Sequence, residues 1–162
     1  MHKQMKKTTL YLLMLSCTIM LLSVSCGDDN KSKTKKPNPQ AEISYPEYSG
    51  RVTVDNGYLQ DDVISRFKSL GNNTYDITMY KVRFSDNMPV YVDVDLKDLP
   101  ATIQGEDTII KIDTLIPYAM NGYLGHYTFY NFNCKVNKDS MIFTTDSAGF
   151  NIEYRAKRTQ EL

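Results

Sequence analysis

Residues 90–97 have the sequence VYVDVDLK, and this stretch decides the fold class. Apolar and polar side chains alternate strictly along it. One face carries Val90, Val92, Val94 and Leu96, and the other carries Tyr91, Asp93, Asp95 and Lys97. Because side chains of a β-strand point alternately to opposite faces, the pattern predicts a strand with one face in a core and one in water.

The same alternation recurs on both sides of this stretch. The apolar face near residues 125–136 consists of Thr128, Tyr130, Phe132, Cys134 and Val136, and that near residues 149–157 consists of Phe150, Ile152, Tyr154 and Ala156. Between residues 75 and 84 the apolar period slips by one at Met79–Tyr80, which indicates a β-bulge. Turn residues (Asn, Asp and Gly) separate the runs. Strands are therefore predicted near residues 47–54, 61–69, 74–84, 89–97, 107–113, 125–136, 139–145 and 149–157.

Residues 59–70 fit two interpretations. Leu59, Val63, Phe67 and Leu70 fall at helical spacing, and Gly71 is placed like a helix C-cap. The set Val63, Ser65 and Phe67 also alternates as a strand would. We choose a strand because the neighbouring strands favour a continuous antiparallel sheet.

Eight consecutive antiparallel strands with short links favour an eight-stranded antiparallel up-and-down β-barrel. Closure into a barrel removes the exposed edges that an open sheet would leave. A β-sandwich is the alternative. The interior of an eight-stranded barrel is filled by side chains or holds one small ligand.

The first 25 residues have the features of a secretory signal peptide. Lys3, Lys6 and Lys7 precede an apolar run from residue 10 to residue 24. A membrane-spanning helix needs about 20 apolar residues, so this run is short for a permanent anchor, which is the alternative interpretation. We therefore predict a signal peptide at residues 1–25.

The stretch Ser23-Val24-Ser25-Cys26 resembles the lipobox of bacterial lipoproteins, with Ser23 where Leu is usual. The resemblance implies that Cys26 is the lipidation site and that its acyl chains anchor the protein in outer-membrane lipid. Asp28 and Asp29 follow, and an acidic pair at this place resembles a signal for export to the outer face of the outer membrane. The alternatives are a solvated linker that happens to be acidic and a location on the periplasmic face.

Composition divides the rest of the chain into a tether and one domain. Residues 26–41 are rich in Lys, Pro and polar side chains, which predicts a flexible, disordered tether. Residues 42–162 have the length of a single domain with one core. This domain has 17 acidic and 12 basic residues, and the excess of acidic side chains argues against nucleic acid as a partner.

The domain lacks the sequence signatures of an enzyme. It has one histidine, His126, no Cys/His ligand cluster and no Gly-x-Ser-x-Gly motif, so we expect no catalytic residue, metal or cofactor. The carboxylate pairs Asp61-Asp62 and Asp93/Asp95 are interpreted as solvated acids on a sheet face. Cys134 lies in an apolar register, which predicts a buried small hydrophobe rather than a nucleophile.

Residues 117–127 have the composition of a recognition surface. Tyrosine combines a large contact area with one polar group, and Tyr118, Tyr123, His126 and Tyr127 are therefore the candidate ligand- or partner-binding residues. The alternative is that this segment plugs one end of the barrel with its apolar side chains, and that the tyrosines pack around them.

Three stretches carry a resemblance to a known family: YSGRVTV at 48–54, VRFSDNMPVYVDVDL at 82–96 and NKDSMIFTTDSAGFNIEYRAK at 137–157. They resemble the calycin-like β-barrel domain of lipoproteins from Bacteroides-like bacteria. The resemblance implies a barrel similar to those of lipocalins and avidin, and it implies no particular activity.

Together these features predict a non-enzymatic, surface-exposed outer-membrane lipoprotein. We expect its barrel mouth or its 117–127 loop to bind a small apolar ligand or a glycan. One alternative is a peptidase inhibitor, as the barrel lipoproteins called potempins are, which would present the loops at 99–107 and 117–125. A structural subunit of an envelope complex is the other alternative.

Overall fold

The computed structural model describes residues 45–159, which form a closed eight-stranded antiparallel β-barrel. The predicted fold class is therefore confirmed. The predicted signal peptide, the tether, the lipidation site Cys26 and the export signal Asp28 and Asp29 lie outside the described residues. No helix within residues 45–159 is both long and apolar enough to cross a bilayer.

The strands follow one another with short connections. They are β1 (Glu47–Val54), β2 (Leu59–Gly71), β3 (Thr74–Val82), β4 (Val92–Gln104), β5 (Asp107–Leu115), β6 (Tyr118–Ala119), β7 (Gly122–Tyr123), β8 (Phe129–Val136), β9 (Ser140–Ser147) and β10 (Phe150–Arg158). A single 3₁₀ turn within the described residues, Gly125–Tyr127, precedes β8.

The barrel wall has up-and-down order. Each strand of the wall pairs with the next in the series β1, β2, β3, β4, β5, β8, β9 and β10. The wall closes where β1 pairs with β10, from Tyr48↔Arg158 to Val54↔Ile152. β4 and β5 pair over four residues only, Ala101 to Gln104 on the β4 side. Nearer the start of β4, Asp95 pairs with Tyr118, so the β6–β7 hairpin lies beside β4 where β5 does not pair with it.

Aromatic side chains fill the middle of the barrel. The rings of Phe129, Phe132, Phe143 and Tyr154 stack or tilt against one another with centroids 5.3–6.5 Å apart. None of these four side chains has measurable exposure. A side chain without accessible surface borders no space that admits a water molecule, so the barrel is filled at this level.

Residues 59–70, which fit both a helix and a strand by sequence, form strand β2. Val63, Ser65 and Phe67 of β2 point into the core and are buried, whereas Leu59 and Leu70 are exposed. The helical spacing of the four apolar residues is therefore coincidental, and the alternation of the inward set determines the structure.

Bulges change which side chains face inward, and two of them bear on the predicted apolar faces. The predicted slip near Met79–Tyr80 is confirmed, since the β3–β4 register shifts between Met79 and Val82. The predicted apolar face of β8 is wrong at its beginning, because Phe129 is buried and Tyr130 is exposed. An irregularity between Tyr130 and Asn133, with φ of 53° at Asn131, inserts the residue that reverses the alternation.

The structure also corrects the ends of several predicted elements. β4 begins at Val92 rather than at residue 89, so Val90 is exposed outside the strand. β4 continues to Gln104, and the predicted loop at 99–107 is therefore mostly strand with a tight turn at Gly105–Glu106. β8 begins at Phe129 rather than at residue 125 because a 3₁₀ turn precedes it.

Candidate functional site

One end of the barrel is covered by two chain segments. We call the end at which β1, β3, β5 and β9 finish the barrel mouth. Residues 83–91 cross it with Phe84 and Met88 buried. Residues 116–128 also cross it, and Leu124 and Tyr127 pack against the core there. The mouth is therefore partly plugged by its own loops, as one of the two interpretations of residues 117–127 expects.

A small cavity remains between these loops and the β9–β10 turn. It has a volume of about 220 Å³, and we call it the mouth pocket. Its lining consists of Phe84, Ser85, Asn87, His126, Tyr127, Ser147, Ala148, Phe150 and Ile152. The lining is mainly aromatic and apolar with a few polar groups, which is the usual character of a small-molecule site.

Ser147 is the unusual residue of this pocket. Inward-facing side chains alternate along β9, and Ser147 is the last of them, with 2 % of its surface exposed. Its Oγ finds no hydrogen-bond partner within residues 45–159. By contrast, the hydroxyl of Thr145, two residues earlier, donates to the Tyr130 carbonyl at 2.9 Å. A buried polar group without a partner costs about 1–3 kcal/mol, so the pocket favours a ligand that satisfies this hydroxyl.

The four candidate residues from the sequence divide into two pairs. His126 and Tyr127 line the mouth pocket, and their rings meet edge to face at 5.4 Å. The 3₁₀ turn that holds them is stabilised by Thr128, whose hydroxyl donates to the Gly125 carbonyl at 2.8 Å.

Tyr118 and Tyr123 lie elsewhere, on the β6–β7 hairpin. Their rings form an edge-to-face pair at 5.4 Å, and the Lys97 ammonium lies 4.1 Å from the centroid of the Tyr118 ring. Tyr123 is 75 % exposed. The hairpin thus presents an aromatic surface that is separate from the lining of the mouth pocket.

Sequence reasoning missed Ser147, Phe150 and the segment around Phe84. The available signal was the turn at Ala148–Gly149, which places Ser147 and Phe150 on either side of a hairpin end and on the inward face of their strands. Phe150 itself is half exposed to the mouth rather than buried in the core as its alternation predicts.

Three of the four carboxylates that the sequence singled out form structural contacts on the outer wall. Asp61 forms an ion pair with Arg51. The Asp93 carboxylate accepts from the Lys81 amide at 2.8 Å, and the Asp95 carboxylate accepts from the Thr78 hydroxyl at 2.7 Å. Residues 45–159 contain no group of three or more His, Cys, Asp or Glu side chains arranged to hold a metal ion.

Cys134 is a core residue, as the sequence predicts. Its side chain is buried on the inward face of β8, and this burial raises the pKa of its thiol. A thiol that resists ionisation is a poor nucleophile, since the thiolate is the reactive form.

Comparison of the chain with family models, curated proteins and solved structures gives no match. The similarity to calycin-like lipoproteins therefore stays a prediction from residues 48–54, 82–96 and 137–157.

Proposed function

We propose that this protein is a non-enzymatic binding module that holds a small, mainly apolar molecule in the mouth pocket. The observation that carries the proposal is the buried Ser147 Oγ, which lines the pocket and has no hydrogen-bond partner within the described residues. The aromatic side chains of Phe84, Tyr127 and Phe150 line the same pocket and offer apolar contact to a ligand.

The size of the pocket limits the ligand. Pockets for drug-sized ligands have volumes of about 300–1,000 Å³, whereas this one has about 220 Å³. The ligand is therefore a small molecule with an apolar body and one hydroxyl or carbonyl group for Ser147. A glycan chain exceeds this volume.

We further propose that the module is displayed by a lipid anchor at Cys26, on the outer face of the outer membrane, with Asp28 and Asp29 as the export signal. The support for this location comes from the sequence of residues 21–30, LLSVSCGDDN. The periplasmic face of the same membrane is the alternative location.

Ligand-dependent thermal stabilisation tests the proposed pocket. The full chain is melted with a panel of small phenols, cyclic alcohols, ketones and alkanes. Phenols, alcohols or ketones are expected to raise the melting temperature more than alkanes of equal size. Ser147→Ala is expected to lower the affinity for the best ligand about fivefold to tenfold, since one hydrogen bond contributes about 1 kcal/mol.

Ser49→Ala is the matched control, because Ser49 lies on the half-buried outer side of β1 and outside the pocket lining. Absence of any stabilising compound in the panel, or equal binding by the Ser147 and Ser49 variants, would overturn the proposal.

A second candidate function is favoured by one observation on the β6–β7 hairpin. Met120 and Tyr123 are 69 % and 75 % exposed there, and an exposed apolar patch of this kind suits a protein partner. A peptidase inhibitor or an envelope subunit would use such a patch. φ of 49° at Met120 and 63° at Asn121 gives a tight turn, so an inhibitory contact here would not resemble an extended substrate.

Capture of secreted and outer-membrane proteins on the immobilised full chain tests this second function. A peptidase that is retained, inhibited, and lost in the Met120→Asp variant would support an inhibitor. Retention that is the same for the Met120→Asp variant would count against a role of the hairpin.

A further inference from the structure

A second concave surface lies on the outer wall of the barrel, away from the lining of the mouth pocket. We call it the outer groove, and its volume is about 810 Å³. It is lined by Glu47, Leu59, Gln60, Asp61, Asp62, Ile64, Arg66, Tyr80, Lys81 and Tyr91. The lining follows β2 from Leu59 to Arg66, a span of roughly 23 Å at about 3.3 Å per residue. A groove of this shape fits an elongated ligand.

The floor of the groove is formed by Ile64 and Tyr80, and the Arg66 guanidinium lies 5.4 Å from the centroid of the Tyr80 ring. Ile64 of β2 and Tyr80 of β3 are direct cross-strand partners, and both are half-buried on the outer face. Tyr91 forms part of the wall near the barrel mouth. The Arg83 guanidinium lies 4.3 Å from the centroid of the Tyr91 ring, and Tyr91 is still 55 % exposed. The ring is therefore held by the protein on one side while a large part of it remains open to a ligand.

A bulge in β2 places two carboxylates beside this floor. The β1–β2 register shifts between Gly50 and Val52, so Asp61 and Asp62 together lie opposite Arg51. Arg51 pairs with Asp61 at 2.5 Å. Asp62 has φ of 57°, and its side chain forms no hydrogen bond or ion pair with any part of the chain that the structure describes. Its carboxylate is thus an acceptor available to a ligand.

The charges of the groove indicate what kind of ligand it suits. Its lining contains three acidic and two basic side chains, so opposite charges nearly balance. At the end far from the mouth, Glu47 and Arg66 neutralise each other at 2.7 Å. Such a surface gives no net attraction to a strongly anionic or cationic polymer, and it favours an uncharged one.

The backbone around the groove separates a glycan from a peptide. β2 is paired along both of its edges, with β1 and with β3. An extended peptide lying on this face would find no free strand edge for main-chain pairing, which is the usual source of its affinity. A sugar chain needs no such edge, because its hydroxyl groups can bond to side-chain carboxylates and amides while its apolar ring faces contact tyrosines.

We infer that the outer groove binds a short neutral oligosaccharide, with Tyr80 and Tyr91 contacting sugar rings and Asp62 accepting hydrogen bonds from sugar hydroxyls. This inference does not depend on the function proposed for the mouth pocket, since the two linings share no residue.

Calorimetric titration of the full chain with defined hexasaccharides tests the inference. The probes are maltohexaose, cellohexaose, xylohexaose and mannohexaose, with hexagalacturonate as the anionic control and an uncharged extended hexapeptide as the peptide control. At least one neutral hexasaccharide is expected to bind. Tyr91→Ala is expected to weaken its binding about tenfold, and Asp62→Asn about fivefold.

Each variant has a matched control. Asp62→Asn preserves the backbone because Asn also tolerates positive φ, and Asp98→Asn changes an exposed aspartate with φ of 55° outside the groove. Tyr130→Ala removes a tyrosine that is 50 % exposed on β8. Neither control is expected to change binding. The inference is overturned if no neutral hexasaccharide binds, if the anionic or peptide probe binds more tightly, or if the control variants weaken binding as much as the groove variants do.

Discussion

At the scale of single residues, the Tyr154 hydroxyl links β10 to β2 inside the barrel. Its hydroxyl donates to the Val63 carbonyl at 2.9 Å and shares a hydrogen bond with the Ser65 hydroxyl at 3.0 Å. The side chain is fully buried, and this burial raises the pKa of Tyr154 to about 12. The folded state therefore favours the neutral, protonated form of the Tyr154 phenol.

This pKa predicts a loss of stability in alkaline solution. In the unfolded chain the tyrosine pKa is about 10, so the contribution of Tyr154 is complete below pH 10 and is lost as the pH rises to about 12. The expected loss is at most about 3 kcal/mol, since one pKa unit corresponds to about 1.4 kcal/mol. Urea unfolding from pH 8 to pH 12 measures it.

Tyr154→Phe provides the comparison. At neutral pH the free energy of unfolding of the variant is expected to be about 1–3 kcal/mol lower, because the Val63 carbonyl loses the hydrogen bond from the Tyr154 hydroxyl. Above pH 10 its stability is expected to fall less steeply than that of the natural protein. Parallel curves for the two proteins would mean that other groups cause the alkaline loss.

A second prediction concerns the two hydroxyls on the inward face of β9. Ser147→Ala removes a buried hydroxyl without a partner in the described structure, so the free energy of unfolding is expected to stay the same or rise. Thr145→Val breaks the bond to the Tyr130 carbonyl and is expected to lower that free energy by about 1 kcal/mol. Equal losses in both variants, measured by urea unfolding without ligand, would show that Ser147 is satisfied after all.

At the scale of strands, Gly50 lies where β1 has no room for a side chain beside β10. Gly50 is the register partner of Ala156. A Cβ atom at Gly50 would overlap the Arg155 carbonyl oxygen and lie 2.5 Å from the Ala156 Cβ, so there is no space for a methyl group.

Gly50→Ala is therefore expected to destabilise the barrel strongly, by about 3 kcal/mol or more, because backbone must move to admit the side chain. Gly122→Ala is the control, since a Cβ there meets no atom within 4 Å. Thermal unfolding of both variants tests the prediction. A Gly50 variant with the melting temperature of the control would mean that the β1–β10 pairing adjusts easily.

Strand alternation predicts most of this fold, and bulges account for most of what it does not predict. In β4 the inward set Val92, Val94 and Leu96 follows directly from the sequence. In β8 the same reasoning assigns Tyr130 to the core, because an Asn at positive φ is compatible with a turn, a bulge or an ordinary loop. Only pairing with a neighbouring strand determines which of these occurs, and a single sequence does not contain that register.

The candidate site was predictable only in part for a related reason. His126 and Tyr127 stand out in the sequence by their composition. Ser147 does not, since a serine beside a hairpin turn is ordinary. The mouth pocket forms where three segments distant in sequence meet, around Phe84, His126 and Ser147. Its missing hydrogen bond becomes visible only when the positions of all three are known.

At the scale of the whole molecule, the packed aromatic core determines where ligands can bind. Phe132, Phe143 and Tyr154 leave no accessible space at the middle of the barrel. Binding is therefore expected at the mouth pocket and on the outer wall rather than deep inside. A ligand found by crystallography between these rings would contradict this expectation, because the rings would have to rearrange to admit it.

The closing pair of strands also brings the two ends of the barrel chain together. Beyond β10, the Thr159 amide and hydroxyl both donate to the Glu47 carbonyl, at 2.9 and 3.1 Å. The strands can therefore follow one another in a different order along the chain and still pair in the same way. A circular permutant that joins residue 159 to residue 45 by a short Gly-Ser linker, and that begins at Glu106 in the exposed β4–β5 turn, is expected to form the same barrel with a similar melting temperature. If that permutant fails to fold while the unpermuted barrel folds, an intact β4–β5 hairpin is needed to start folding. The four residue pairs between β4 and β5 would then matter more for the folding pathway than for the stability of the finished barrel wall.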